Sequence, residues 1–347
     1  MIFRQLYDCV SSTYTYILAD ENSREALIID PVFEQIQRDL ALLRELNLEL
    51  KLILDTHCHA DHITAAWLLQ QKTGAKIALA AAVGAQGVDI ALTHGDTVGI
   101  KGVKLEVRAT PGHTDGCLSY VLSDHSMVFT GDALLIRGCG RSDFQQGDAA
   151  RLYHSITEQI FSLPDDCAIY PAHDYNGRTR STVCEEKTHN PRVGGGANER
   201  DFVQYMKAMQ LPHPKKIDEA LPANMRSGKP EDGQLPSEPA WADIRISFAG
   251  IPEVDSEWVI QNQPSINILD VREQDETAVA ALGDLYNLIH IPLSELRDRV
   301  SEVPTDKPVV TLCRSGKRSS LALGILKNAG HDKVANIRGG LLGWQHH

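Results

Sequence analysis

The chain has 347 residues, of which 42% are apolar and 23% charged, so it has the composition of a globular protein and room for two domains. Its formal net charge of -12 argues against nucleic acid and against an anionic membrane as the main partner, because both require a basic surface. The longest apolar run, residues 77–85, is far too short to span a bilayer, and residues 1–8 lack the features of an export signal. Because the seven cysteines show no paired spacing, we expect reduced thiols and a cytoplasmic protein.

Short strands and amphipathic helices alternate along the first part of the chain. We predict a hairpin from a strand at 14–19, a polar turn at 20–23 and a strand at 26–29. Apolar residues at helical spacing predict a helix at 34–46, which is followed by a strand at 50–54 and a helix at 63–73. Residues 75–108 alternate short apolar runs with glycine-containing turns, as the strands of a sheet sandwich do, and a further helix is predicted from Asp148.

The segment from Thr56 to His62 places three imidazoles and one carboxylate directly after the strand at 50–54. Three more residues of the same kinds each come just after an apolar run: His113, Asp132 and His173. Neutral imidazoles and carboxylates are the ligands that Zn(II) and Fe(II) accept. Because loops at the ends of strands usually carry the site of a rigid sheet, we predict that these segments meet in one metal centre.

The spacing His-x-His-x-Asp-His, followed by a distant His, Asp and His, resembles the metallo-β-lactamase superfamily over about residues 1–225. The resemblance implies an α/β fold, with an αββα sandwich that carries the metal site at one edge of its two sheets. Residues 140–145, Gly-Arg-Ser-Asp-Phe-Gln, together with the segments at 130–132, 173–175, 190–192 and 222–225, resemble the glutathione-persulfide dioxygenase branch. That branch implies oxidation of glutathione persulfide by O2 to sulfite and glutathione, with one Fe(II) per chain.

The resemblance also implies roles for particular side chains. The iron ligands would be His57, His113 and Asp132, and a vestigial or second metal group would be His59, Asp61, His62 and His173. We expect Arg141, Tyr175 and Arg192 to hold the glutathione carrier, because a guanidinium matches a carboxylate and a phenol adds a directed hydrogen bond. Asp174 is expected to orient a ligand from behind.

Two other interpretations remain open. Because the second group is complete, counting ligands alone predicts a two-metal site that activates water against a thioester, as in glyoxalase II. A non-enzymatic metal-binding or sulfide-sensing adaptor is the third interpretation.

Residues 226–243 mix Gly, Pro and charges without a periodic apolar face, which predicts a linker between a domain at 1–225 and one at 244–347. In the second domain, strands at 268–271 and 309–312 alternate with helices at 294–303 and 319–330, which is typical of a parallel α/β sheet.

The strand at 309–312 runs into Cys313, which is followed by three cations, Arg314, Lys317 and Arg318, and then by a helix. A thiolate at a helix N-terminus among cations is stabilised, so we predict a nucleophilic cysteine with a depressed pKa. This loop, with Leu-Asp-Val-Arg-Glu at 269–273 and Arg-Gly-Gly at 338–340, resembles the rhodanese family. The resemblance implies sulfur transfer between thiosulfate or sulfite and glutathione persulfide through a cysteine persulfide at Cys313. A homodimer is compatible with the sequence.

Overall fold

We describe residues 1–209, 216–236, 241–279 and 287–344 of a computed structural model of the chain. The chain divides into two compact units, Met1–Leu235 and Pro236–His347. The strands of the first unit are β1 Ile2–Asp8, β2 Thr13–Ala19, β3 Glu25–Ile29, β4 Glu49–Leu54, β5 Lys76–Ala80, β6 Ile90–Leu92, β7 Thr97–Ile100, β8 Val103–Ala109, β9 Leu118–Leu122, β10 Met127–Gly131, β11 Ala168–Pro171 and β12 Ser181–Thr182. Its helices are α1 Ile36–Glu45, α2 Ala66–Thr73, α3 Ala149–His154, α4 Val183–His189, α5 Glu199–Ala208 and α6 Ile217–Asn224.

Two six-stranded sheets face each other in this unit. One has the order β1-β2-β3-β4-β5-β6 and the other the order β12-β11-β10-β9-β8-β7. Apolar side chains of both sheets, among them Leu54, Leu105 and Phe129, fill the space between them. Helices α1 and α2 cover the outer face of the first sheet, and α3, α4 and α5 cover that of the second. The predicted αββα sandwich is therefore confirmed.

Local differences from the sequence-based assignment have physical causes. The predicted hairpin is β2 and β3, which pair antiparallel, but β1 precedes it and was not predicted. The helix predicted at 63–73 begins only at Ala66, because Thr64 pairs with Val32 and Ile63 accepts a hydrogen bond from the Phe33 N–H. Long-range pairing of these residues competes with the helical pattern of the local sequence.

The beginning of the predicted linker packs on the first unit. The Trp67 N–H donates to the carbonyl oxygen of Ser227 at 2.9 Å, and both Ser227 and Gly228 are buried. Gly228 has φ +77°, and a Cβ there would lie 2.0 Å from the carbonyl oxygen of Thr64. Residues 237–240 of the predicted linker lie outside the described residues, and the boundaries at 225 and 244 remain a proposal.

The second unit contains one six-stranded sheet of order β13-β14-β18-β17-β15-β16. Its strands are β13 Arg245–Ile246, β14 Pro252–Val254, β15 Asn267–Asp270, β16 Leu288–His290, β17 Val309–Leu312 and β18 Val334–Ile337, and its helices are α7 Ser256–Asn262, α8 Gln274–Val279, α9 Leu296–Arg299, α10 Lys317–Asn328 and α11 Gly340–Trp344. All neighbouring strands are parallel except β13 and β14. Apolar clusters cover both faces of the sheet, as a parallel sheet requires.

Candidate functional site

Four strand ends deliver the predicted ligands to one place. β4 is followed by the segment from His57 to His62, β8 by His113, β10 by Asp132 and β11 by His173. Donor atoms of His57, His113 and Asp132 all lie within 4.8 Å of one another, and the three residues are buried. Two imidazoles and one carboxylate that converge in this way can hold a divalent metal on one face and leave its other positions open.

Hydrogen bonds behind the rings determine which imidazole nitrogen faces this group. The His113 Nδ1 lies 2.6 Å from the Arg141 carbonyl oxygen, which can only accept, so Nδ1 carries the proton. The Thr56 hydroxyl donates to Asp30 Oδ2 at 2.9 Å, so it accepts from His57 Nδ1 at 3.0 Å. Both rings therefore present an unprotonated Nε2 to a metal, which is the arrangement that ligation needs.

A second group, formed by His59, Asp61, His62 and His173, has donor atoms within 4.8 Å of one another. Asp61 Oδ2 lies 2.9 Å from His173 Nε2 and 3.0 Å from His62 Nδ1. His59 Nδ1 and His62 Nε2 are buried without a hydrogen-bond partner among the described residues. Orphaned buried nitrogens are costly, and a metal ion would satisfy them. The His173 Nδ1 is 2.7 Å from Asp132 Oδ1, so this contact joins the two groups.

Burial sets the charge of these ligands. It lowers the pKa of His57 and His59 well below the usual value, and the neighbouring imidazoles lower it further. Burial alone would raise the pKa of Asp132, but the imidazoles of His173, His113 and His57 lower it more, so the carboxyl is ionised. Burial lowers the pKa of His173, but the carboxylates of Asp132 and Asp61 raise it more, to well above the usual value. A metal ion bound by His173 would displace that proton, whereas His57 and His59 are ready to bind as neutral rings.

Residues outside the ligand motif hold it in place, and the sequence analysis missed their roles. Asp30, directly after β3, accepts from the Thr56 N–H at 2.7 Å and lies 3.1 Å from His59 Nε2. The Asn224 side chain donates to the carbonyl oxygens of His59 and His62 and accepts from the Thr64 N–H, each at 2.9 Å. Asp30 shares the pattern of a polar residue just after an apolar strand, which is the signal that pointed to the ligands.

The first group opens into a cavity of about 530 Å³. The predicted glutathione contacts Arg141, Tyr175 and Arg192 all line it, and Arg137 and Arg178, which were not predicted, line it too. Arg141 is paired with Asp143 at 2.6 Å, and the exposed Tyr175 ring stacks on His173 with centroids 6.2 Å apart. Arg137 is ion-paired with Glu186 and Arg141 with Asp143, whereas the hydrogen bonds that Arg178 and Arg192 donate within the described residues go to protein carbonyl or sulfur atoms. Of the four guanidinium groups, those of Arg178 and Arg192 are therefore best placed to bind an anionic substrate.

The loop that carries the Gly-Arg-Ser-Asp-Phe-Gln stretch passes directly over the ligands. A Cβ at Gly140 would lie 2.4 Å from the Asp132 carbonyl oxygen and 2.8 Å from His113 Nδ1, so only glycine fits. At the other end of the loop the Gln145 side chain donates to the Cys58 carbonyl oxygen at 2.9 Å. Residues 140–145 therefore contact the cavity's candidate ligands at His113 and Asp132 at one end and the segment from His57 to His62 at the other.

The Asp174 carboxylate accepts hydrogen bonds from the N–H groups of Asn176 and Arg178, both at 2.8 Å. These bonds hold the turn after β11, and the hydrogen bonds found for Asp174 in the described residues include none to an imidazole. Groups that do contact ligand rings in the described residues include the Arg141 carbonyl, Thr56, Asp30 and Thr13. The role expected for Asp174 remains a prediction.

In the second unit, Cys313 is buried at the end of β17, against the first turn of α10. Burial raises the pKa of its thiol, but the Ser319 hydroxyl and the N–H groups of Ser319, Ser315 and Arg318 lower it more, so the pKa falls below the usual value. The leading causes of this lowering are hydrogen bonds, including those from N–H groups at the helix N-terminus as the sequence analysis expected, whereas the side-chain cations, which were expected to add to it, are not among them. Arg314 and Lys317 are exposed, and Arg318 is paired with Glu276 at 2.5 and 2.7 Å.

Two further features of the rhodanese resemblance have visible functions. A Cβ at Gly340, which has φ +56°, would lie 2.3 Å from the Cys313 carbonyl oxygen, so the Gly-Gly pair lets the chain pass close to the loop. Arg272 and Asp270 form a buried ion pair at 2.6 Å, which gives the Leu-Asp-Val-Arg-Glu segment a structural role.

Comparisons with known proteins agree with this geometry. Residues 9–173 match the metallo-beta-lactamase superfamily, and residues 255–347 match the rhodanese-like domain. Over 229 residues the chain is 54% identical to the human protein "Persulfide dioxygenase ETHE1, mitochondrial", a match that spans 66% of this chain and 89% of the relative. The chain belongs to the persulfide dioxygenase family. The mouse protein of the same name is 52% identical over the same length.

Solved structures extend the comparison. The crystal structure of ETHE1 from Myxococcus xanthus is 50% identical in sequence and matches this chain with a TM-score of 0.64. The match covers 66% of this chain and 100% of the Myxococcus xanthus chain. A metallo-beta-lactamase from Staphylococcus aureus, 23% identical with a TM-score of 0.61, is similar in fold over 97% of this chain and 98% of its own. The persulfide dioxygenase relatives and the rhodanese-like domain together support a role in sulfur metabolism, and the His and Asp groups support a bound metal. Among the described residues no helix is long and apolar enough to cross a membrane.

Proposed function

We propose that this family member oxidises glutathione persulfide with O2 in its first unit. The balanced reaction is GSSH + O2 + H2O → GSH + SO3²⁻ + 2 H⁺, in which the outer sulfur loses four electrons and O2 accepts them. The observation that carries the proposal is the facial group His57, His113 and Asp132 at the bottom of an arginine-lined cavity. Fe(II) held by these residues supplies redox chemistry with O2 that zinc lacks.

The cavity residues act on the substrate. Guanidinium groups bind carboxylates with strong, directed hydrogen bonds, and glutathione carries two carboxylates. We assign Arg192 and Arg178 to these carboxylates; each already donates one N–H to a backbone carbonyl oxygen, of Cys139 and Ile136 respectively, which fixes the guanidinium planes. Arg141 and Tyr175 line the same cavity, and we assign them to positioning the persulfide end over the ligands.

The test is oxygen uptake after addition of glutathione persulfide, with metal content determined on the same sample. We expect rapid uptake with about one iron per chain. His113→Ala should lose both iron and uptake, whereas His125→Ala, which changes an imidazole that is 42% exposed and away from the cavity, should keep both. No uptake by an iron-loaded, air-protected sample would refute the proposal.

We further propose that the second unit transfers sulfur. The Cys313 thiolate would attack the outer sulfur of thiosulfate or of a persulfide, which releases sulfite or a thiolate and leaves a cysteine persulfide. Sulfite or the glutathione thiolate would then attack the outer sulfur of that persulfide, which breaks its S–S bond and releases the Cys313 thiolate. The buried thiol, the hydrogen bonds that lower its pKa and the exposed cations Arg314 and Lys317 support this reaction. Cys313→Ser should abolish sulfur transfer and spare oxygen uptake, while Cys184→Ser, at an exposed cysteine, should spare both.

One observation favours a second candidate function. The orphaned nitrogens His59 Nδ1 and His62 Nε2 would be satisfied by a second metal ion, and one metal held by each group would together activate water against a thioester. Two zinc ions per chain with turnover of a glutathione thioester would decide for this hydrolase. One iron with no thioesterase turnover would decide against it.

A cytoplasmic location and a homodimer also remain proposals. The human, bovine and mouse relatives are named as mitochondrial proteins. Fractionation of the source cells and the mass of the protein in solution would test the two statements.

A further inference from the structure

The Ser319 hydroxyl lies between two acceptors in the second unit. Its oxygen is 3.3 Å from Cys313 Sγ and 2.6 Å from Asn336 Oδ1. Ser319 and Asn336 are essentially fully buried, with exposed fractions of 0% and 1%. A hydroxyl has one proton to donate, so it cannot serve both acceptors at once.

The orientation of the Asn336 amide is fixed from its other side. Asn336 lies on β18 between Thr311 of β17 and Glu253 of β14, with which it is in register. Its Nδ2 donates to Glu253 Oε1 at 3.2 Å, and a carboxylate accepts only, so Oδ1 faces Ser319 as an acceptor. The strand position of Asn336 and its hydrogen bond to Glu253 therefore keep Oδ1 directed at Ser319, where it competes with Cys313 Sγ for the hydroxyl proton.

We propose that Asn336 is a positioning residue that accepts the hydrogen bond of the Ser319 hydroxyl while Cys313 carries a persulfide. When the outer sulfur leaves, the hydroxyl rotates and donates its hydrogen bond to Cys313 Sγ instead. This inference rests on the proposed sulfur transfer. In the persulfide the negative charge lies on the outer sulfur, so the inner Sγ is a weak acceptor and the proton points to Asn336 Oδ1. When a thiolate or sulfite attacks the outer sulfur, the S–S bond breaks and its electron pair moves to Sγ. The proton then turns to Sγ and stabilises the leaving thiolate.

The hydrogen bonds to Sγ agree with this arrangement. The Ser319 hydroxyl is the first of the groups that lower the pKa of the Cys313 thiol against the effect of burial. Arg318 interacts electrostatically with Cys313. The other charged or titratable groups on the elements around this loop are Arg314, Lys317, Glu276 paired with Arg318, Arg272 with Asp270, Arg338 with Asp255, His290, and Glu253 behind Asn336.

The test is the pH dependence of Cys313 alkylation in the full chain, followed by mass spectrometry of the Cys313 peptide because other cysteines also react. Ser319→Ala removes the donor and should raise the midpoint by about one pH unit, and Ser319→Thr, which keeps a hydroxyl, should restore it. Asn336→Leu removes the competing acceptor and should lower the midpoint by about half a unit. The double variant should behave like Ser319→Ala, because Asn336 acts only through Ser319.

Controls separate the proposal from simpler explanations. Glu253→Gln keeps an acceptor for Asn336 Nδ2 but removes the charge, and it should change the midpoint far less than Ser319→Ala does. If Asn336→Leu does not fold, Asn336→Val, which suits a central strand, replaces it. A raised or unchanged midpoint in the folded Asn336 variant, or additive effects in the double variant, would overturn the inference. Because alkylation needs no sulfur acceptor, absence of sulfur transfer in the wild type would refute the proposed function without affecting this measurement.

Discussion

Asn224 offers the sharpest test of how the metal centre is held. It lies at the end of α6, 160 residues or more from the backbone groups that it binds. Asn224→Ala removes three buried hydrogen bonds of 2.9 Å, to the carbonyl oxygens of His59 and His62 and from the Thr64 N–H. At about 1 kcal/mol for each neutral bond, the free energy of unfolding should fall by about 3 kcal/mol. For a unit of this size that corresponds to a decrease in unfolding temperature of roughly 6–12 °C.

Calorimetry of the full chain would measure this effect, since the two units should give separate transitions. We expect the transition of the first unit to move and that of the second to stay. Asn22→Ala, at an exposed position of the turn between β2 and β3, is the matched control and should change stability by less than about 0.5 kcal/mol. Asn224→Asp keeps an acceptor for Thr64 but turns an oxygen toward two carbonyl oxygens, so it should lose at least as much stability as the alanine variant.

Asn224→Ala should also bind metal less well, because the Asn224 hydrogen bonds order the segment from His59 to Thr64, which carries candidate ligands. Metal titration of wild type and Asn224→Ala would measure this loss. An unfolding temperature of Asn224→Ala within about 2 °C of wild type, together with unchanged metal affinity, would refute the reasoning. A loss of about 3 kcal/mol in the free energy of unfolding would lower that temperature by more than this.

The remaining predictions concern the cavity, pH and metal. Gln145→Ala removes the bond to the Cys58 carbonyl oxygen and should raise KM for glutathione persulfide about fivefold; Gln146→Ala, at the exposed neighbour with the same positive φ, should not. Burial raises the pKa of Asp39 to about 6 from 3.8, so the folded state binds this proton more tightly and stability falls as pH rises from about 4 to about 6. Asp39→Asn should remove this pH dependence of the free energy of unfolding. If the variant and the wild type differ in stability by the same amount at pH 4 and at pH 7, the prediction is wrong. A chelator should lower the unfolding temperature of the first unit alone, and an equal shift of both transitions would argue against a metal centre confined to that unit.

The sequence by itself determined the features that depend on neighbours along the chain. Apolar runs located most strands, because strands that are buried along their whole length, such as β2, β9 and β17, need a continuous local run of mostly apolar residues. The cluster from His57 to His62, the residues just after β8, β10 and β11, and the cationic loop after Cys313 could all be found from spacing alone. The helix at 63–73 was predicted too long, because its first residues pair with residues 31–33, and local propensity does not contain that contact.

Only the tertiary structure decided how these residues combine. It brings His57, His113 and Asp132, which the family resemblance had already grouped, within reach of one metal ion, and its hydrogen bonds from Arg141, Thr56 and Asp30 determine which imidazole nitrogens are protonated. It brings Arg178 into the cavity, pairs Arg318 with Glu276, and places Asn336 against Ser319. The contacts of Asn336 with Ser319, of Arg318 with Glu276 and of Asn224 with His59 join residues 17, 42 and 165 positions apart in the sequence. Such contacts follow from strand register and from the closure of one sheet on another, and both depend on the whole chain and not on any one stretch of it.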